Sequence, residues 1–288
     1  KVRAVNYIQT RHKELVLVLA LYDMIKVFQI QGDQLKEISS TKLIAGSGPR
    51  HLYVHPDGSV IYVINELNAT ITVLDFDSTI ITSESLDLLS ELALEEDKDK
   101  ESKLQKIKQL TEQGMNGIIP FQDSLDQRLQ SIEITKKDVQ LLNEMLIGLI
   151  TPSFIENRKW LMENSDKVYI FSGGFKEIIL PVAEKFKIKS NQVFANNFIY
   201  TEKGVVSGVD KKNPFSRSGG KVEKARELNL KGEIIMVGDG NTDAEMKNLG
   251  QHVKFIAFTE NICRGSVIKK ADIVAESFND VINLIQHV

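Results

Sequence analysis

One cysteine, Cys263, stands in 288 residues, so no disulfide can form within the chain. That fits a reducing compartment, and the cytoplasm is the expected location. No apolar run approaches the roughly 20 residues that span a bilayer. The longest, "LVLVLAL", covers only residues 15–21, so no membrane partner is expected. No secretory signal pattern opens the chain. It starts at Lys1 rather than Met, as expected where a natural N-terminus is missing or replaced. Neither sign of charge is in excess: 36 Lys+Arg against 39 Asp+Glu give a net −3, and nothing suggests a nucleic-acid partner. Prolines are few, and 42% hydrophobic with 26% charged residues describes a globular chain. Its length suits one large domain or two modest ones.

Residues 1–70 read as β. Short runs rich in Val, Ile, Leu and Tyr are punctuated by turn compositions such as "QGDQ" and "GSGP". "HPDGS" between two of them predicts a tight hairpin, because Pro-Asp-Gly supplies the restricted φ and the left-handed position. After Asp77 the texture changes. Leu86, Leu89 and Ala93 recur at helical spacing, and residues 84–110 are predicted helical, with the charge cluster "EEDKDKESK" on a solvated stretch. Thr135 with Asp138 three residues on is a capping arrangement. Pro152 after Thr151 marks a helix start. Strands and helices then alternate. "KVYIF" leads to a helix from Phe175 and "GEIIMV" to one from about Asp243, and "VKFIAF" and "ADIVA" are further strands. Alternation of this kind predicts an α/β fold, a Rossmann-like parallel sheet with helices on both faces. The expected division is a β-rich segment at residues 1–70, an α/β core from residues 71–83 and 151–288, and a small helical insertion at residues 84–150.

Four features fall at strand ends of that sheet, where open α/β folds place ligands. In "DFDST", alternation puts Asp75 and Asp77 on one side of the extended chain and Phe76 on the other. In "SGG", the small Ser172 and Gly173 let backbone amides approach an anion. Lys221 is a lone cation at a helix start. "GDGNTD" carries Asp239, Asn241 and Asp243 after "IIMV". Taken singly, the first is a solvated turn, the second a loop, the third a surface lysine and the fourth a turn. Taken together, in one order and each at a strand end, they supply a nucleophile, a second carboxylate, an anion cradle, a fixed cation and a metal-binding carboxylate.

On these four motifs, residues 71–288 resemble the haloacid-dehalogenase superfamily and, within it, the phosphoserine phosphatases. The insertion resembles that family's helical cap. Glu84 stands nine residues after Asp75, and "MNGIIPFQDSLDQR" carries Met115, Phe121 and Arg128 at the family's spacing. The resemblance implies Mg²⁺-dependent hydrolysis of O-phospho-L-serine, in serine biosynthesis, through an aspartyl-phosphate. It implies that Asp75 attacks phosphorus, and that Asp77 protonates the leaving oxygen and then activates water. Mg²⁺ would be held by Asp75, the Asp77 carbonyl and Asp239, and the phosphoryl oxygens by Ser172, Gly173 and Lys221. Asp243 would orient Lys221, and Asn241 would contact phosphate or substrate. Phosphoserine also carries an ammonium, which Glu84 would take, and a carboxylate, which Arg128 can grip bidentately. Met115 and Phe121 would form an apolar lid. Another small phosphomonoester, or phosphoryl transfer to an alcohol, is the alternative within the same core.

The leading segment resembles something else. "GSGPRHLYVHPDGSVIYVINELNATITVLDFD" is similar to one blade of a seven-bladed propeller lactonase of the 6-phosphogluconolactonase type, and the likeness covers most of residues 14–77. It implies active-site roles for Arg50 and Glu66. A propeller needs at least about four blades of 40–50 residues, so lactonase activity is not expected. Residues 71–77 are therefore written both as a propeller strand and as a phosphatase strand, and the phosphatase fold is expected to take them. Natural fusion, truncation and engineered chimera remain open as origins, and a propeller-derived interaction or sugar-binding module with a passenger phosphatase is the reading from another class. Unpaired β edges in this segment are expected to favour self-association.

Overall fold

A computed structural model describes residues 2–9, 15–21, 24–43, 49–55, 61–65, 70–230 and 232–287. The chain divides into two compact units, Lys1–Thr70 and Ile71–His287.

In the first unit, β1 (Val2–Gln9), β2 (Leu15–Leu21), β3 (Met24–Gln31) and β4 (Gln34–Lys42) form an antiparallel sheet in that order. β3 and β4 are joined by a two-residue turn in which Gly32 has φ +59°, a backbone twist that matches that of paired strands. Lys26 and Glu37 pair at 2.7 Å across the two strands. β4, "QLKEISSTK", is exposed along its whole length. β5 (Pro49–Val54) and β6 (Ile61–Asn65) form a separate antiparallel pair. Residues 56–59 of the predicted "HPDGS" turn and Glu66 lie outside the described residues, as does the side chain of Arg50.

The second unit is built on a six-stranded, all-parallel sheet in the order β14-β13-β12-β7-β8-β9. Its strands are β7 (Ile71–Leu74), β8 (Val168–Phe175), β9 (Val193–Asn196), β12 (Ile234–Gly238), β13 (Val253–Phe258) and β14 (Ile273–Ala275). β10 (Phe198–Tyr200) and β11 (Val206–Val209) form a small antiparallel pair beside it. β7 lies inside the sheet, between β12 and β8, so the twice-legible strand belongs to the α/β core. Successive residues of each strand point to opposite faces. Leu74, Ile235, Val237, Ile256 and Phe258 share one core with Phe154, Ile178, Val182 and Phe278. Val73, Met236, Phe255 and Ala257 share the other with Phe215, Val222, Ala225 and Met246. Helices α5 (Pro152–Glu156), α6 (Arg158–Glu163), α7 (Lys176–Lys185) and α11 (Phe278–His287) contribute to the first core, and α8 (Gly220–Leu228) to the second.

Between β7 and α5 the chain builds four helices, α1 (Ser85–Ala93), α2 (Lys100–Met115), α3 (Phe121–Gln130) and α4 (Lys136–Leu146). Two antiparallel segments carry the chain out to these helices and back. Ile81 bridges Ile150, the Thr82 amide donates to Leu149 O at 2.9 Å, and the Thr151 amide donates to Ile80 O at 2.9 Å. Thr135 and Asp138 close a capping box on α4, and Pro152 opens α5.

Three sequence expectations need correction. The predicted helix over 84–110 is two helices, because the acidic and basic cluster spans a turn at residues 94–99. The predicted helix from Asp243 is only a short turn, α9 (Asn241–Ala244), followed by a tighter turn over Glu245–Leu249. Last, "SGG" does not end β8. Pairing with β9 is irregular between Phe171 and Phe175, so residues 172–174 bulge from the ladder and α7 starts only at Lys176. A short helix α10 (Gly265–Ile268) follows β13. Among the described residues, no helix is long and apolar enough to cross a membrane.

Candidate active site

Asp75 follows β7, and its amide donates to Val237 O at 2.9 Å. Its Oδ1 accepts from the Phe76 amide at 2.8 Å, and Phe76 is fully buried beneath it. The chain then turns sharply. Ser78 has φ +52°, a left-handed conformation that costs an L-residue about 1–2 kcal/mol. Local bonds hold it: the Ser78 amide donates to Ser83 O at 3.1 Å and its hydroxyl to Glu84 Oε1 at 2.8 Å. The Ser85 amide, at the start of α1, donates to Asp77 Oδ1 at 2.8 Å. Both aspartates therefore face one pocket, together with Glu84, Arg128, Ser172 and Gly173.

The bulge in β8 supplies one wall. Ser172 Oγ accepts from the Gly174 amide at 2.9 Å. Each glycine allows a close approach. A Cβ on Gly174 would stand 2.9 Å from Asp77 Oδ2, and one on Gly173 would collide with the Phe121 ring. Lys221, in the first turn of α8, is buried; its Nζ lies 3.0 Å from Asp75 Oδ2 and pairs with Asp243. The Asp243 carboxylate also accepts from the Gly240 amide at 2.9 Å.

The helical insertion closes the other side. Met115 lies against Gly240, and Phe121 packs on Gly173. Arg128 is buried on α3. Its NH1 donates to Thr111 Oγ1 at 3.1 Å and lies 3.8 Å from Asp87. Asn241 stands apart from the residues lining the pocket. Its carbonyl accepts from Lys270, its amide reaches Glu245 at 3.3 Å, and Thr242 lines the pocket instead.

Several participants escaped the sequence reading. Arg264 is buried, pairs with Asp239, and lies 3.5 Å from Glu84 and 3.2 Å from Glu112. Its neighbours are distant in sequence, so no local pattern marks it. Asp87, Thr111 and Asn261 were missed for the same reason. Thr242 was within reach, since it lies inside "GDGNTD".

Burial first, and the Glu84 charge second, push Asp77 up to about 8, so its carboxyl holds a proton at neutral pH. Burial opposes the Lys221 charge, yet Asp243 and Asp75 hold the ammonium above the usual lysine value. Burial lowers Arg128, against the pull of Asp87 and Glu84. The carboxylates of Asp75, Asp239 and Asp243 are buried, with ligand atoms within 4.8 Å of one another, a hard-oxygen set that suits a divalent cation. The arrangement can hold a phosphoryl group beside a buried carboxylate and give its leaving oxygen a proton.

Comparison with known proteins agrees on the class. Residues 72–247 match the haloacid dehalogenase-like hydrolases. Phosphoserine phosphatase of Bos taurus is 32% identical over 222 residues, covering 76% of this chain and 94% of that protein. The Homo sapiens enzyme is 33% identical over 203 residues, covering 69% and 86%. The crystal structure of a phosphoserine phosphohydrolase-like protein from Francisella tularensis matches with a TM-score of 0.68 at 33% identity, over 75% of this chain and 99% of that one. Residues 7–111, under half of the chain, also match the seven-bladed β-propeller lactonases. That match runs into β7, α1 and α2, which the structure builds into the α/β unit.

Proposed function

We propose, given that the chain belongs to the haloacid dehalogenase-like hydrolases and is a phosphoserine phosphatase-like phosphomonoesterase, that it hydrolyses O-phospho-L-serine through a covalent intermediate on Asp75, in serine biosynthesis and in the cytoplasm. The observation that carries this reading is a buried Asp75, 3.0 Å from Lys221, in one pocket with Asp77, whose carboxyl is pushed up to about 8.

An Asp75 oxygen attacks phosphorus as the bond from phosphorus to the serine oxygen breaks. Asp77 gives that oxygen its proton, so serine leaves neutral. Asp77 then takes a proton from the water that attacks phosphorus, phosphate departs, and Asp75 is restored. Ser172, the Gly173 amide and Lys221 hold the phosphoryl oxygens, and Asp243 keeps Lys221 in place. Glu84 and Arg128 receive the ammonium and carboxylate, while Met115 and Phe121 keep water away. Mg²⁺ is the proposed cofactor, held by Asp75, the Asp77 carbonyl and Asp239, with Asp243 adjacent. When bound it supplies the positive charge that offsets repulsion between carboxylate and phosphate. A contact from Asn241 to substrate needs its amide to leave Lys270 and Glu245.

The decisive experiment is phosphate release from O-phospho-L-serine with and without Mg²⁺, against a panel of other small phosphomonoesters. Release that is specific to phosphoserine and lost on chelation is the expected result; a preference for another phosphomonoester would move the assignment there.

The Asp77 proton makes pH informative. Raising pH through about 8 removes the proton donor, so kcat/KM for phosphoserine is expected to fall on that side, and the Asp77→Asn variant is expected to lack this limb. The same shift acts on stability. Between 3.8 and about 8 the folded chain keeps a proton that the unfolded chain releases, so stability falls as pH rises through that window. Thermal melts without Mg²⁺ across it check the sign.

Every candidate residue of the phosphatase site lies in Ile71–His287, while β4 offers an exposed sheet edge that suits pairing with another chain. A chain beginning at Asn68 is therefore expected to fold, keep phosphatase activity and self-associate less in sedimentation. Loss of activity in that shortened chain would make the leading strands part of the working enzyme.

A further inference from the structure

The loop after β13 carries a side chain that none of these roles uses. Asn261 is half-buried, and its Nδ2 is within hydrogen-bonding distance of four oxygens: Ser78 O at 3.1 Å, Thr79 O at 3.3 Å, Ile81 O at 3.3 Å and Thr151 Oγ1 at 2.8 Å. Three of these are backbone carbonyls, which only accept. The group facing them must therefore be the NH₂ end of the amide. Two hydrogens are shared among four acceptors, and Thr151 Oγ1 passes one bond on to Thr79 O at 2.7 Å.

The acceptors mark two places at once. Ser78 is the left-handed residue directly after Asp77, in a conformation that persists only when its surroundings fix it. Ile81 and Thr151 belong to the two segments that lead into and out of the helical insertion. Neighbouring Glu260 strengthens the hold on the second segment: it accepts from the Ser153 amide at 3.2 Å and from the Ser153 hydroxyl.

We propose that Asn261 is a positioning residue for the reaction, holding the left-handed turn at Ser78 that aims Asp77 and tying that turn to the segment returning from the insertion. The proposal rests on the reading of Asp77 as proton donor to the leaving group. Asn261 touches neither substrate nor reacting atoms; it acts through the backbone of residues 78–81.

The test compares two leaving groups. O-phospho-L-serine expels an alkoxide that needs a proton, whereas 4-nitrophenyl phosphate expels a phenolate that does not. kcat/KM covers all steps through leaving-group departure. Asn261→Ala is expected to lower kcat/KM for phosphoserine at least about tenfold more than for the aryl phosphate, the scale on which small misplacements of a catalytic group act. Asn261→Asp keeps the shape but turns an anion toward the carbonyls, so it gives the same pattern and answers the question even where the alanine variant folds poorly. In an Asp77→Asn background, Asn261→Ala is expected to add no further difference between the substrates. Equal losses on both substrates from the Asn261 variants, with Asp77→Asn alone still showing the leaving-group effect, would overturn the proposal and leave the Asp77 reading standing. Equal losses from Asp77→Asn alone would overturn the Asp77 reading and the proposal together.

Discussion

Replacing Asp75 with asparagine is expected to lower phosphoserine turnover by at least about a thousandfold, the scale seen when a covalent nucleophile is removed. The amide matches the carboxylate in size and can still accept from the Phe76 amide, which now lies 2.8 Å from Oδ1. What it lacks is the anion that attacks. Lys221 keeps a partner in Asp243, so no buried charge is stranded and the fold should survive. Turnover by phosphate release, with a thermal melt as control, separates lost chemistry from lost structure. In the parent chain, a hydroxylamine-sensitive phosphoenzyme should be trapped during turnover. A variant with near-native rate, or a parent that yields no such species, would rule out the covalent route.

The second large effect concerns specificity. Arg128→Ala is expected to cost kcat/KM for phosphoserine at least about thirtyfold more than for a phosphomonoester without a carboxylate, since an unmade charge-assisted pair costs about 2–5 kcal/mol. Arg128 is buried, held by Thr111 and near Asp87, so its guanidinium is fixed at the pocket wall before substrate arrives. Removing it also leaves Asp87 without that cation, and the melting temperature is expected to fall with activity. Arg128→Lys restores the charge but not the planar fork; it should recover stability better than phosphoserine selectivity. Equal losses on both substrates would make Arg128 a structural group and remove the main support for phosphoserine over its relatives.

Much of the α/β unit could be read directly from the chain. The parallel sheet followed from alternating apolar runs and helical stretches, and residues 71–74 turned out to pair with β12 and β8. The Thr135–Asp138 box and Pro152 at a helix start were local signals read at the right positions. Where boundaries moved, packing was the cause. "SGG" sits in a bulge of β8 rather than after it, because Gly173 must pass beneath Phe121 and Gly174 beside Asp77. The helix expected from about Asp243 became a single turn, Asn241–Ala244, that continues as a tighter turn and stops at Gly250, where φ is +121°.

The sequence by itself pointed to candidate side chains for the chemistry, and it placed two of them, Asp75 and Asp239, directly after apolar strands. Such information is local: a DxD, a glycine pair or a capping box specifies the conformation of its own few residues. Only the tertiary structure decided what those residues meet. It pushed the Asp77 carboxyl above the usual range by desolvation beside Glu84, set Arg264 against Asp239, and turned Asn241 toward Lys270 rather than the pocket. It brought Asn261 to Ser78 across 183 positions of sequence. It also assigned β7, legible as either of two folds, to the one that pairs it on both sides and buries Val73 and Leu74 in opposite cores. The physical reason is the same in each case: burial and long-range partners set a group's charge and orientation, and a one-dimensional pattern carries neither.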